Sequence, residues 1–178
     1  TTTAVAGDAI TTILNSYGLS ADYAGKVSSD LFETVQRGKL VFGDLASEIG
    51  MVAADAASAG VSLEELLAAV ATLTRGGLGA PTAVTSLRAL INAFRKPTEE
   101  GKKAAAELGF EMNVTTLHAQ QLSGMLRILA KASNEQLAAI FQNRRALTGL
   151  ATALEQTGGV AEDVSYIMGS SGADLEAY

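Results

Sequence analysis

The sequence contains no cysteine and no tryptophan, only two prolines, and 5% aromatic residues among its 178 positions. Without cysteine it has no disulfide, no thiolate nucleophile and no thiolate metal ligand. Its 48% apolar content therefore comes mainly from alanine and aliphatic side chains, which suit close helix packing better than a sheet core. These absences favour an all-α fold.

The sequence also has fewer basic than acidic residues. The chain has 13 Lys and Arg against 19 Asp and Glu, a formal net charge of -6, so we expect no specific nucleic-acid binding by this segment. Asp, Glu, Arg or Gly interrupts every stretch before it reaches the ~18 to 20 apolar residues of a membrane span. The first residues lack Met and a basic signal region, so we expect a water-soluble fragment of a longer protein.

Apolar residues recur at intervals of three and four through nearly the whole chain, the spacing of amphipathic helices. The clearest stripe begins after Ser62, and a second begins at Pro81. Another predicted helix, from Ala21 to Gly38, carries Phe32 on its apolar stripe, and one more runs from Thr116 to Ala132. The pattern predicts an array or bundle of short antiparallel amphipathic helices joined by Gly-containing turns.

The turns follow a recurring scheme in which Gly ends one helix, an apolar residue packs back, and Ser caps the next. GLS at 18–20 and GVS at 60–62 are the two full examples. We also predict a capping box between Ser62 and Glu65, and a helix start at Pro81. The predicted turn and cap residues are Gly18, Ser20, Gly38, Gly60, Ser62, Glu65, Gly76, Gly77, Pro81, Thr98 and Gly109.

The C-terminal part is predicted to be organised differently. We place a core helical domain at residues 1–158 and a C-terminal helical extension and linker at residues 159–178. The stretch from Gly169 to Gly172 is expected to be the linker, before the last residues begin another helix.

No combination of residues predicts catalysis. The single histidine, His118, has no carboxylate or second histidine at helical spacing, so it makes a poor metal ligand or general base. Acidic pairs such as Glu64 and Glu65, or Glu162 and Asp163, lie near predicted helix starts, where negative charge favours the helix dipole. We therefore predict no catalytic residue, no cofactor and no metal.

Two features of the sequence allow more than one interpretation. The alanine-rich faces around Ala53 and Ala68 allow close helix approach, either within one chain or between copies, and we favour the intramolecular core. The basic pairs, for example Arg95 and Lys96, are interspersed with acids. They fit solvated surface or salt links between helices better than a phosphate-binding strip.

Taken together and in order, several stretches resemble the core region of phage tail tape-measure proteins. The resemblance covers most of the chain and is most specific in the central GVSLEELLAAVATLTRGGL with the following TSLRAL and KPT. The matching stretches are AITTILNSYGLSADYAGKVSSDL, KLVFGDLASEIGMVAADAASAGVSLEELLAAVATLTRGGLGAPTAVTSLRALINAFRKPT, AAAELGF and AAIFQNRRALTGLATAL.

The resemblance implies a structural virion component that sets tail length during assembly and is released ahead of the genome. It implies a place inside the tail tube or tail tip, and in the host cytoplasm during assembly. The implied partners are other copies of the chain, tail-tube and tail-tip proteins, and tail assembly chaperones. Contact with the host membrane during ejection is a further implication.

Two other classes stay open. A membrane-active helical module would release the contents of vesicles, although the acidic balance and the lack of Trp argue against it. An enzyme would show polar side chains converging in a pocket. Within the tape-measure interpretation, we expect a folded module that adds far less length than a continuous helix, which rises ~1.5 Å per residue.

Overall fold

The computed structural model describes residues 3–156 and 159–173, and in these it contains eleven α-helices and no strand. The predicted all-α fold is confirmed. A 3-10 turn, Ala21–Tyr23, precedes the second helix. The helices are α1 (Thr3–Tyr17), α2 (Ala24–Arg37), α3 (Phe42–Glu48), α4 (Gly50–Ser58), α5 (Leu63–Arg75), α6 (Ala80–Arg95), α7 (Glu99–Glu107), α8 (Val114–Leu129), α9 (Asn134–Ile140), α10 (Arg144–Glu155) and α11 (Gly159–Ala173).

Helix α5 lies at the centre of the molecule. Eleven of its 13 residues are buried, which is typical of a helix enclosed on all sides rather than on one face. The helices α2, α6, α8, α10 and α11 pack around it. The alanines of this helix, Ala68, Ala69 and Ala71, are all inside the core, so its small-residue face serves packing within one chain.

Four of the predicted turn glycines share one backbone geometry, which Gly60 illustrates. Gly60 has φ +74, a left-handed conformation that costs glycine little, and the amide of Val61 donates to the carbonyl oxygen of Ala56 at 3.0 Å. Val61 is then buried, and Ser62 Oγ accepts from the amide of Glu65 at 3.2 Å to begin α5. Positive φ also occurs at Gly18, Gly77 and Gly109, each followed by the equivalent backbone bond.

Other predicted caps differ in detail. Thr98 Oγ1 accepts from the amide of Gly101 and so begins α7. Ser20 does not cap through its side chain, because the 3-10 turn intervenes and α2 begins three residues after that turn starts. Pro81 is the second residue of α6, since Gly79 supplies the extended residue before it and Ala80 is the first.

Gly38 and Gly76 end helices without positive φ, and their small size serves close approach instead. A Cβ on Gly38 would lie 2.7 Å from Thr74 Oγ1, and one on Gly76 would lie 2.5 Å from Thr152 Cγ2. The first contact brings the end of α2 against α5, and the second brings the end of α5 against α10.

Three predictions about elements are wrong. The helix predicted from Thr116 to Ala132 is broken at Gln121. Phe32 does not belong to the buried stripe of α2, since 53% of its surface is exposed. The predicted linker at residues 169–172 is part of α11, which runs without interruption from Gly159 to Ala173. The further helix expected at the C-terminus lies outside the described residues.

Helix α11 packs against α5 and α2, so it belongs to the same packed array as the preceding helices. The domain boundary after residue 158 stays a prediction.

A group of phenylalanines packs in the outer part of the same hydrophobic core. Phe94 of α6 lies between Phe110 and Phe141, with ring centroids 6.3 and 6.1 Å apart. All three rings are almost fully buried. Three of the five phenylalanines therefore lie where α6, the α7–α8 connection and the end of α9 meet.

Candidate functional site: buried ion pairs between helices

The most completely satisfied polar group in the described residues is the carboxylate of Asp163 on α11. Its side chain is fully buried, and Arg75 of α5 donates to both of its oxygens, at 3.0 and 2.8 Å. Arg37 Nε of α2 donates to Oδ1 at 2.6 Å, and Thr72 Oγ1 of α5 donates to Oδ2 at 2.5 Å. These four contacts use the acceptor sites that an ionised carboxylate offers.

The surroundings of Arg37 extend this arrangement to the surface. Arg37 Nη2 pairs with Glu162, and its guanidinium lies over the ring of Tyr166, 5.1 Å from the centroid. Arg75 Nη1 also donates to the carbonyl oxygen of Arg37 at 3.2 Å. We call Asp163, Arg37, Arg75 and Thr72 the Asp163 cluster.

The Asp163 cluster fixes the position of α11 more than it adds stability. Removing a carboxylate from water is costly, and its pairing with two guanidinium groups largely offsets that cost. A displaced α11 would bury the carboxylate without these partners, so the cluster selects one register of α11 on α2 and α5. Arg37 and Asp163 are 126 positions apart in the chain.

A second cluster explains the break in α8. Gln121 has φ +56 and ψ -179, a conformation that non-glycine residues rarely adopt. Its side chain accepts from the amide of Ser62 at 2.9 Å and donates to the carbonyl oxygens of Gly60 at 2.8 Å and His118 at 2.6 Å. The Gln121 amide group thus ties the break in α8 to the turn between α4 and α5.

Glu65 completes this junction, and only half of the predicted capping box forms: Ser62 Oγ accepts from the Glu65 amide, but the return bond is missing. The Glu65 carboxylate does not return to the Ser62 amide, which Gln121 occupies; instead it accepts from Ser123 N at 2.9 Å and Ser123 Oγ at 2.6 Å. Ser123 lies at the start of the second part of α8, where backbone amides lack helical acceptors. Glu65 therefore caps another helix, because long-range packing brings α8 beside α5.

His118 has a packing role at the same junction. A Cβ on Gly60 would lie 2.7 Å from His118 Cγ, so the histidine covers the turn closely. The side chain is otherwise on the exposed side of α8.

A third cluster joins α4 to α6. Asp55 pairs with Arg88 Nε at 2.7 Å and with Arg95 Nη1. Partial burial by itself opposes ionisation of Asp55, but the hydrogen bonds and charges of Arg88 and Arg95 together lower its pKa. The expectation of salt links between helices is thus met by Arg95, one member of a predicted basic pair.

Within residues 3–156 and 159–173, no three His, Asp or Glu side chains are grouped so as to hold a metal ion. No helix of that described part is long and apolar enough to cross a membrane.

Sequence reasoning missed the Asp163 cluster and the Glu65 junction. It assigned Glu65 and Asp163 to helix starts. Glu65 lies in the first turn of α5 and Asp163 just after the first turn of α11, but their partners are 58 to 126 positions away in the chain. The signal that was present is Thr72 within the apolar stretch of α5, because a polar side chain buried in a core needs a hydrogen-bond partner.

These contacts and the fold define a helical structural module whose polar side chains hold helices together. The comparisons then give its family. Residues 1–145 match the model of the phage-related minor tail protein family, and the chain belongs to that family. The family is one of structural phage tail proteins.

A relative supports this assignment. The chain is 31% identical over 106 residues to the tape measure protein of Pneumococcus phage Dp-1. The match covers 60% of this chain and 9% of that protein, so the chain corresponds to a small part of the relative's length. No solved structure matches the chain significantly.

Proposed function

We propose that this chain is a segment of a tape measure protein and acts as a folded helical module during tail assembly and length determination. The family match and the name of the relative support the general role. The module is non-enzymatic and needs no cofactor. It lies inside the tail tube or at the tail tip of the virion.

The observation that carries the proposal is the pairing of residues far apart in the chain. Arg37 and Asp163 are in direct contact, whereas a continuous helix of 126 residues would separate them by about 190 Å. A compact chain of this size has a radius of gyration of ~16 Å. This segment therefore adds little axial length, and extended helical parts elsewhere in the longer protein do most of the measuring.

The partners belong to the same proposal. They are other copies of the chain, tail-tube and tail-tip proteins, and the assembly chaperones that keep apolar surface covered before assembly. Some large apolar side chains are exposed, among them Phe32, Val41 and Met168, and these are candidate contacts. The formal charge of -6 disfavours trapping of the genome as it passes during ejection.

The experiment that tests the proposal is a tandem duplication of residues 1–178 in the full-length protein, followed by measurement of tail length. Duplication keeps one intact copy, so tails still assemble. A folded module should lengthen tails by at most about 40 Å, the diameter expected for a compact chain of this size. An extended helix would add about 270 Å.

The matched control is an insertion of equal length in a continuous helical part of the same protein. It should add about 270 Å. Equal lengthening by the two insertions would overturn the folded-module proposal, and no change of length in either would overturn the measuring role itself.

A further inference from the structure

The break in α8 combines a strained backbone with residues that otherwise favour a helix. Gln121 has φ +56 and ψ -179, whereas the residues on both sides of it are helical. Conformations of this kind are nearly restricted to glycine, so another residue adopts them only where surrounding contacts impose them. Glutamine is a good helix former, as are the neighbouring Gln120 and Leu122, and no proline or glycine lies directly beside the break. The local sequence therefore favours a continuous helix.

Contacts from a distant part of the chain hold the break. The side chain of Gln121 accepts from the amide of Ser62 and donates to the carbonyl oxygen of Gly60, so it is bound to the α4–α5 turn. Glu65 satisfies the amide of Ser123, which in an uninterrupted helix would donate to the carbonyl oxygen four residues earlier. The strained conformation thus depends on the docking of α8 against that turn.

The two parts of α8 cannot both face the core in a continuous helix. Leu117 in the first part and Leu122 in the second are both buried, but five positions along an α-helix place them about 140° apart around its axis. The second part is the better anchored, because Met125 and Leu129 are buried on the same stripe as Leu122. Closing the break would therefore turn Leu117 away from the core while the second part stays in place.

We propose that α8 is a two-state element, with a broken form docked on the α4–α5 turn through Gln121 and a continuous form in which the first part leaves that turn and exposes Leu117. The Gln121 hydrogen bonds and the burial of Leu117 favour the broken form. Relief of backbone strain and recovered helical hydrogen bonds favour the continuous form. The irregular connection at residues 110–113 absorbs the change of direction. This device does not rest on the role of the chain in tail assembly.

The test compares Gln121→Ala with Gln121→Gly in the 178-residue chain. Both substitutions remove the same side-chain hydrogen bonds. Glycine accepts the broken backbone without strain, whereas alanine is strained in it and is the better helix former. The ratio of continuous to broken form should be at least about tenfold higher in the alanine variant. We expect the continuous form to dominate in Gln121→Ala and the broken form in Gln121→Gly.

Two NMR measurements distinguish the forms. The ¹³Cα shift of residue 121 is helical only in the continuous form, and a soluble paramagnetic agent broadens the Leu117 methyl resonances only when that side chain is exposed. Non-helical shifts at residue 121 in Gln121→Ala, or disordered shifts throughout residues 114–123, would overturn the proposal. Equal ratios in the two variants would overturn it as well, because backbone strain would then take no part.

The matched control is Gln120→Ala, which replaces an exposed glutamine one position before the break and should keep the broken form. A continuous helix in this control would contradict the role assigned to Gln121. If circular dichroism shows that Gln121→Ala unfolds the whole chain, Leu117→Ala is the second variant. It weakens docking of the first part and leaves Gln121 in place, so it should raise the continuous fraction at least about tenfold. An unchanged fraction would contradict the two-state proposal.

Discussion

At the scale of single residues, Asp163 carries the largest share of polar contacts between helices. Its carboxylate has two guanidinium partners, which are themselves about a third exposed, and one hydroxyl. Water therefore reaches the arginines but not the carboxylate, and a change at Asp163 cannot be compensated from solvent. The consequence is that substitution of Asp163 should matter far more than substitution of its neighbour Glu162.

Asp163→Asn should lower the free energy of unfolding by about 2 to 3 kcal/mol, because several charge-assisted hydrogen bonds are lost and two arginines are left facing one amide. Urea denaturation followed by circular dichroism measures the change. Glu162→Gln, at a 56% exposed side chain, should change it by less than about 1 kcal/mol. Similar losses in the two variants would show that the buried cluster has no special role.

Gly60→Ala tests the turn before α5. The left-handed conformation alone should cost about 1 to 2 kcal/mol, and displacement of His118 should add to this cost. Gly109→Ala is the matched control, because it has φ +85 but no atom within 4 Å of the added Cβ. The difference between the two variants in thermal or urea unfolding measures the His118 contact. No difference would mean that His118 moves away freely.

Asp55 should make the free energy of unfolding depend on pH. Its pKa in the folded chain is below the usual value of 3.8, so its ion pairs stabilise the fold above that pH, and this contribution is lost as the pH falls through the lower folded value. The difference in unfolding free energy between the unaltered chain and Asp55→Asn should thus shrink on acidification. In a background with both Arg88→Gln and Arg95→Gln, the pH dependence of that difference should vanish or reverse sign, because burial alone raises the pKa of Asp55; its persistence with the same sign would contradict the assigned cause.

At the scale of elements, the sequence predicts local features well. Features that depend only on neighbouring residues appear in the structure as predicted. They are the glycine at a positive φ, the apolar residue after it, and the helix caps at Ser62 and Thr98. The break at Gln121 was not predictable, because no proline or glycine marks it and distant backbone groups hold it in place. The Glu65 junction has the same character, since its partner Ser123 is brought close only by tertiary packing.

Glu65→Ala should loosen the second part of α8 while leaving its first part protected. The amide of Ser123 loses the carboxylate acceptor, so its hydrogen exchange should become at least about tenfold faster. Exchange measured residue by residue by NMR tests this. Glu99→Ala, at an 83% exposed side chain in the first turn of α7, is the control and should leave Ser123 exchange unchanged. Equal protection of Ser123 in both variants would contradict the capping role.

At the scale of the whole molecule, the chain is an array of helices around the fully enclosed α5, and α11 is held against that centre by the Asp163 cluster. The amino-acid sequence predicts the class of fold and, through its resemblance, the family. It does not predict that the C-terminal helix returns to the middle of the array, because that depends on one carboxylate meeting partners 88 and 126 positions away.

The most direct test of the account is a distance measured inside assembled tails. The segment has no cysteine, so Gln36→Cys and Ala161→Cys, both at exposed positions next to the Asp163 cluster, place two spin labels specifically once any cysteines elsewhere in the longer protein are replaced. The account expects the same short distance between labels in purified tails as in the isolated segment. Labels separated beyond the range of spin–spin coupling, as in an extended helix, would contradict it.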